Sequence, residues 1–254
     1  GLKENGSEFE KLSSFTRESF NFRSIVQGPK FNRIFKVANS TTKFKHLLEP
    51  RITYNYIPNM DKKDRLKIKK FDRIDTIANP ANSITYGFGQ RLLKRIKTGT
   101  NEHQTKQILR FNVSQTYNIR EATKQKQPGI DRHPFSDIYF DFDSRPTDSL
   151  LFNTDALYSI ETDSVNKFNF EAGIKPIKDL WIIMERRWIK NGPNYILGTL
   201  DMSLKPGWRM QYSTRYDELA STFRENQFSL LYDNPCKCWG FAFDVIDRKL
   251  SETS

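Results

Sequence analysis

From Trp208 to Asp217 the chain changes character at every residue: Trp208, Met210, Tyr212, Thr214 and Tyr216 alternate with Arg209, Gln211, Ser213, Arg215 and Asp217. A period of two sends successive side chains to opposite faces of an extended strand, so one face here is mostly apolar or aromatic and the other polar. The same pattern recurs along most of the chain in segments of about ten residues, the length that a tilted strand needs to cross a bilayer. Few folds tolerate that repetition.

After a polar stretch at 1–16, about thirteen strand candidates follow one another. Phe20–Ile25 leads through Gly28-Pro29 to a shorter candidate at Phe31–Val37. His46–Tyr56 then sets Ile52, Tyr54 and Tyr56 against Arg51, Thr53 and Asn55. Asn82–Leu92 and Leu109–Arg120 form the clearest pair, and the polar Thr98–Asn101 region between them predicts a hairpin with a long connection. Ile138–Phe142 comes next, followed at close spacing by 149–160, 165–175, 180–190, 194–205, 207–217, 222–233 and 238–248. Turn signals at Lys190-Asn191-Gly192-Pro193, Lys205-Pro206-Gly207 and Asp233-Asn234-Pro235 separate several of them. Residues 58–81 and 121–134 are charged or polar without period two and are expected to be long exposed loops.

Short connections imply an all-β, antiparallel up-and-down meander, because parallel neighbours need crossovers of a dozen or more residues. Long strands expose long edges, and closure removes them. The expectation is therefore one domain over 1–254 that forms part of a large transmembrane β-barrel. A soluble sheet or sandwich is the alternative, disfavoured because soluble strands average about five or six residues. The hydrophobic fraction of 37% and mean hydropathy of −0.69 exclude a helical membrane protein. They do not exclude a barrel, whose strands are half polar.

The net charge of +11 attracts polyanions in general. Nucleic acid is not the expected partner, because the charges of 58–81 carry no interleaved aromatic residues on which bases stack. His46, His103 and His133 stand far from Cys236 and Cys238, so no zinc spacing is present, and neither metal nor cofactor is expected. Asp141 and Asp143 share a strand face, where a solvated pair is favoured over an acid/base dyad, and no nucleophile constellation accompanies them. An enzyme is not expected.

Four segments carry a resemblance. They are His46-Leu47-Leu48-Glu49-Pro50-Arg51 with Tyr54-Asn55-Tyr56-Ile57-Pro58; Asn82–Leu92; Phe135-Ser136-Asp137-Ile138; and Tyr232-Asp233-Asn234-Pro235-Cys236-Lys237-Cys238-Trp239. In order, with the strand rhythm between them, they resemble the C-terminal barrel half of the outer-membrane lipopolysaccharide-assembly family LptD. The resemblance implies a very large barrel, near the roughly 26-strand end of the common range, that encloses a plug lipoprotein, LptE. It also implies a periplasmic domain fed with lipopolysaccharide by the Lpt bridge, a lateral seam through which the lipid leaves, and a location in the outer membrane. Against that family the chain reads as truncated at both ends.

Cys236 and Cys238 resemble the family's C-terminal cysteine pair, which implies disulfides to partners outside this chain. Bonding to each other is disfavoured in an extended strand, where residues two apart are about 6.5–7 Å apart at Cα. Arg91, Arg110, Arg120, Lys167, Glu171, Arg209 and Arg215 are candidates for a lumen-facing polar surface, and Trp181, Trp188, Trp208 and Trp239 for interfacial aromatic positions. The rival readings are another outer-membrane barrel, a porin or an outer-membrane enzyme, and a soluble basic β protein that binds nucleic acid.

Overall fold

The computed structural model describes residues 20–38, 41–59, 79–97, 102–125, 129 and 131–249. The period-two segments form strands β1 (Phe22–Gln27), β2 (Phe31–Lys36), β3 (Lys43–Ile57), β4 (Ala81–Lys97), β5 (His103–Asn118), β6 (Ile138–Thr147), β7 (Leu150–Ser159), β8 (Ser164–Ile177), β9 (Leu180–Ile189), β10 (Asn194–Lys205), β11 (Trp208–Asp217), β12 (Thr222–Asp233) and β13 (Gly240–Arg248). All join one antiparallel sheet in the order β1-β3-β4-β5-β6-β7-β8-β9-β10-β11-β12-β13, with β2 also paired to β3. The sheet is an up-and-down meander and is not closed. β1 with β2 forms one edge and β13 the other.

Gly28-Pro29 is not a hairpin turn. β1 pairs with the second half of β3 and β2 with the first half, so the two lie end to end as one interrupted edge strand. Pro29 has no N–H to give to a ladder, and the break falls where Gly28 N donates to Pro50 O at 2.9 Å. The connection between β4 and β5 also differs from expectation. The ladder runs from Ser83↔Asn118 to Lys97↔His103, so much of the polar stretch is itself strand. Residues 93–97 and 103–107 lose the apolar alternation because both of their faces are polar there, although their hydrogen-bond pairing continues.

Most of the loop expected at 58–81 lies outside the described residues, and β4 begins at Ala81. The segment at 121–134 begins inside a single helical turn, α1 (Ile119–Thr123), capped by Asn118 Oδ1 accepting from Glu121 N at 3.0 Å.

Two adjacent cross-strand rows show how completely the faces separate. One contains Glu49, Gly89, Asn112, Asp141, Asp155, Asn169, Arg187, Tyr195 and Asp217. The next contains Pro50, Phe88, Val113, Phe140, Ala156, Phe168, Trp188 and Asn194. Among the described residues no second layer covers the apolar face, where Phe88 is 39% exposed, Met184 51% and Phe243 55%. The buried residues Leu47, Leu151 and Ser229 instead lie on the polar face. Crowding on that side is what a sheet produces when it curves toward its polar face.

Candidate functional site

The polar face is a lattice of charges set by register. One row across eleven strands contains Leu47, Arg91, Arg110, Asp143, Asn153, Glu171, Glu185, Leu197, Arg215 and Glu225, and ends at Arg248 of β13. Four of the sequence-selected polar residues, Arg91, Arg110, Glu171 and Arg215, therefore share a single row. Lys167 and Arg209 lie on the same face, opposite Leu157 and Leu231.

Arg91 and Arg110 are direct cross-strand partners, a like-charge contact that is unfavourable unless each finds a carboxylate. They turn apart. Arg91 makes a bidentate pair with Glu49, Nε to Oε2 and Nη2 to Oε1 both at 2.8 Å, and Lys30 Nζ adds a contact to Glu49 at 3.3 Å. Arg110 bridges Asp141 at 3.2 Å and also Asp143, so those carboxylates are partners of one guanidinium, not a reactive dyad.

Further along the sheet the pairing is nearly complete. Lys167 meets Asp155 at 2.8 Å, Arg187 meets Glu185, Arg209 forks onto Asp201 with Nε–Oδ1 at 2.7 Å, and Arg215 and Arg248 share Glu225 at 3.4 and 2.6 Å. Glu171 accepts from Asn153 Nδ2 at 2.6 Å. Partly exposed pairs of this kind each contribute only about 0–1 kcal/mol. Their main effect is to neutralise a polar surface, not to hold it together.

Near the β1 edge the polar face opens into a cavity of about 590 Å³, with Gly87 and Gly89 of β4 as its floor and Arg23, Lys30, Glu49, Arg51 and Arg91 around it. Gly87 is a structural requirement, because it is packed against backbone, whereas Gly89 has only a side-chain atom close by. A Cβ at Gly87 would lie 2.2 Å from Val113 O, and one at Gly89 2.8 Å from Asn112 Oδ1. Arg51 stands directly opposite Gly87 in the ladder, so no side chain answers its charge there. A second, shallower hollow of about 270 Å³ lies between β6 and β9 and is lined by Asp141, Asp143, Asp155, Glu171 and Glu185 with Arg187. Among the described residues no group of side chains is arranged to hold a metal ion.

The apolar face is banded by aromatic rings. Trp208 meets Tyr232 in a tilted contact at 4.9 Å and Phe241 edge-on at 5.6 Å, and Trp239 lies 5.3 Å from Tyr232, all at the end of the strands closed by the short turns. Toward the opposite end lie Tyr216 with Phe223 at 5.2 Å, and Trp188 on the same apolar face. The 10 residues of β11 thus run from one aromatic cluster to the other, the length of a tilted membrane-crossing strand, which is roughly nine to eleven residues.

Three sequence expectations need correction. Trp181 pairs with Asp201 and so lies on the polar face, with Lys175 Nζ 5.9 Å from its ring centre; the two-residue turn Lys178-Asp179 sets that parity. Arg120 lies beyond the end of β5, in α1, and its Nη2 donates to Asn59 Oδ1 at 3.2 Å. Cys236 and Cys238 are bonded to each other at a Cα separation of 5.3 Å. The extended geometry that disfavoured such a bond is absent, because Lys237 has φ 54° and folds the segment into a turn between β12 and β13.

At the short-turn end, Lys106 Nζ of β5 sits 2.8 Å from Asp148 Oδ1 in the β6–β7 turn and holds that carboxyl below its usual range. Strand ends thus carry charge on both faces, whereas the middle of the apolar face carries almost none.

A sheet this wide, with its apolar side uncovered among the described residues and aromatic clusters toward both ends of it, is of the class of the outer-membrane β-barrel, of which it makes part of the wall. The family described as LptD, LPS transport system D, matches residues 24–199, and the chain belongs to that family. It is a lipopolysaccharide-transport protein of the outer membrane. The match runs from β1 into β10, so β11–β13 and the cysteine pair lie beyond it. No curated protein matches the chain.

Proposed function

We propose that this chain is a contiguous piece of the wall of a translocon that inserts lipopolysaccharide into the outer leaflet, acting as a non-enzymatic pore with a lateral gate. The observation that carries the reading is the division into an apolar and a polar face that runs through the strands from β3 to β12. The apolar face meets lipid and the concave polar face lines the lumen. Further strands pair with the β1–β2 edge and with β13, and the seam lies among them. Within the lumen the polar face meets an LptE-like plug lipoprotein, and a periplasmic domain takes lipopolysaccharide from the Lpt bridge.

Orientation follows from connection lengths. One end of the sheet is joined by Asp148-Ser149, Lys178-Asp179 and Pro206-Gly207, whereas the other carries 58–80 and 119–137. Outer-membrane barrels keep short turns in the periplasm and long loops outside. The Cys236–Cys238 bond is then periplasmic, where disulfides persist.

Single cysteines at Met210 and Gln211 test the assignment of faces in cells carrying the full-length protein. A lipid-soluble quencher is expected to reach a probe at Met210 and not at Gln211, while a water-soluble maleimide labels only Gln211. Equal aqueous labelling of both would sink the barrel reading. Depletion of the protein is expected to stop new lipopolysaccharide from reaching the cell surface, and unchanged surface delivery would sink the transport reading.

A further inference from the structure

The cavity beside β1 differs from the β6–β12 part of the polar face in what it leaves unpaired. Glu49 is already engaged by Arg91 and Lys30. Arg23 and Arg51 line the same cavity and have no carboxylate partner among the described residues. Two guanidinium groups that line one cavity, with no carboxylate partner among the described residues, mark a place suited to an external anion, and their planar donor fork suits phosphate oxygens.

The surrounding groups specify more than charge. Thr53, Ser114, Gln27 and Asn112 add hydroxyl and amide groups to the walls. Asn112 Nδ2 is committed to Asp141 at 2.9 Å, while its Oδ1 sits over Gly89 as an acceptor. Acceptors and donors together suit the hydroxyls of a sugar, and about 590 Å³ falls in the usual range for a small-ligand site. The cavity also has an approach. Lys36 and Lys43, Lys45 and Leu93, Arg95 and Lys97 continue the polar face of β2–β4 down to the short-turn end, and the cations among them have no carboxylate partner among the described residues. A lane of one sign along a low-dielectric wall raises the local concentration of anions.

We propose that this cavity binds a phosphorylated sugar, with Arg23 and Arg51 holding the phosphate above the Gly87–Gly89 floor and the amide and hydroxyl groups reading the ring. The proposal rests on the polar face being the lumen of a lipopolysaccharide-transport barrel. It adds to that reading a particular station for the headgroup on its way from the periplasmic side.

The test uses the full-length protein in detergent micelles, with glucosamine 1-phosphate and purified lipopolysaccharide as separate probes and glucosamine as the uncharged-at-phosphate control, read by isothermal titration. The double variant Arg23→Gln/Arg51→Gln is expected to weaken glucosamine 1-phosphate binding by about tenfold or more. Arg209→Gln, from the paired part of the same face, is expected to leave it unchanged. Retained heat-modifiable gel mobility confirms that each variant is folded. The same loss for lipopolysaccharide assigns the site to the lipid headgroup, and a loss confined to glucosamine 1-phosphate assigns it to a free sugar phosphate. Wild-type affinity in the folded double variant, or equal binding of glucosamine, overturns the proposal. If that happens while depletion still blocks surface delivery of lipopolysaccharide, the station is wrong and the transport reading stands; the reverse pattern separates them the other way.

Discussion

The polar face has two halves written in the same period and built on the same ladder, yet opposite in electrostatic character. Over β1–β4 it presents Arg23, Lys36, Lys43, Lys45, Arg51, Arg91, Arg95 and Lys97 against Glu49. Over β6–β12 it presents Asp141, Asp143, Asp155, Glu171, Glu185, Asp201 and Glu225 against Lys167, Arg187, Arg209 and Arg215, most of them in mutual contact. The difference comes from what stands across the ladder. Where a charge has an opposite charge in reach on the same or the next row, the face satisfies itself and needs only water. Where Arg51 faces Gly87 and Glu49 faces Gly89, no side chain fills the space on the β4 side, and across β1 Arg51 and Arg23 meet only the amides Gln27 and Asn55, so cationic charge remains for something else to meet.

If the halves differ only on the inside, they must fail alike on the outside. Phe88→Arg in β4 and Met210→Arg in β11 both put a guanidinium into the apolar face, at about 2–4 kcal/mol each near the bilayer midplane. Both variants are expected to lose the compact, heat-modifiable species on gels and to be degraded in cells. If only one of them fails, the two halves do not share a lipid-facing surface, and the comparison is between two different environments.

Next in size is the backbone itself. Gly87→Val drives a side chain into Val113 O and Ser114, and overpacking of this kind costs about 1–3 kcal/mol. Gly198→Ala in the paired half meets only Thr214 Cγ2 at 3.6 Å, an ordinary contact, and is expected to leave thermal unfolding in micelles within about 0.5 kcal/mol of the parent. Equal tolerance at both positions would remove the reason for a glycine floor.

The two faces were legible because alternation is a property of each residue and its neighbour, and it survives whatever surrounds the strand. Arg91, Arg110, Glu171 and Arg215 could be placed on one surface from parity alone, but their common row depends on bulges at Leu92/Leu93, Leu157/Tyr158 and Ile174/Ile177 that no pattern announces. Some misses had a signal. Asn118 followed three residues later by Glu121 is a helix-start signature, and it takes Arg120 out of the strand. Trp181 alternates in phase with Glu185 and Arg187, which already put it on the polar side. The strand continuation of β4 and β5 had none, because alternation vanishes where both faces are wet. The cavity was also invisible, since Arg23, Arg51 and Gly87 meet only through pairing across the sheet.

The smallest effect cuts most cleanly between the halves. Asp201→Asn leaves Arg209 without its fork partner, and Arg51→Gln removes a cation that has no carboxylate partner among the described residues. Loss of a partly exposed pair costs about 0.2–1 kcal/mol, and the Arg209 guanidinium, half-exposed, stays hydrated afterwards. Arg51→Gln relieves repulsion from Arg23, Lys30 and Arg91 around the same cavity, so its effect is expected to be zero or slightly stabilising. Both differences should shrink as salt rises toward 1 M, where screening shortens to about 3 Å. Denaturation midpoints of the two variants at low and high salt are therefore expected to move in opposite directions from the parent and converge on it. A loss of stability in Arg51→Gln as large as in Asp201→Asn would mean that the Arg51 charge stabilises the fold of the basic half, and that its cations are not kept for a ligand.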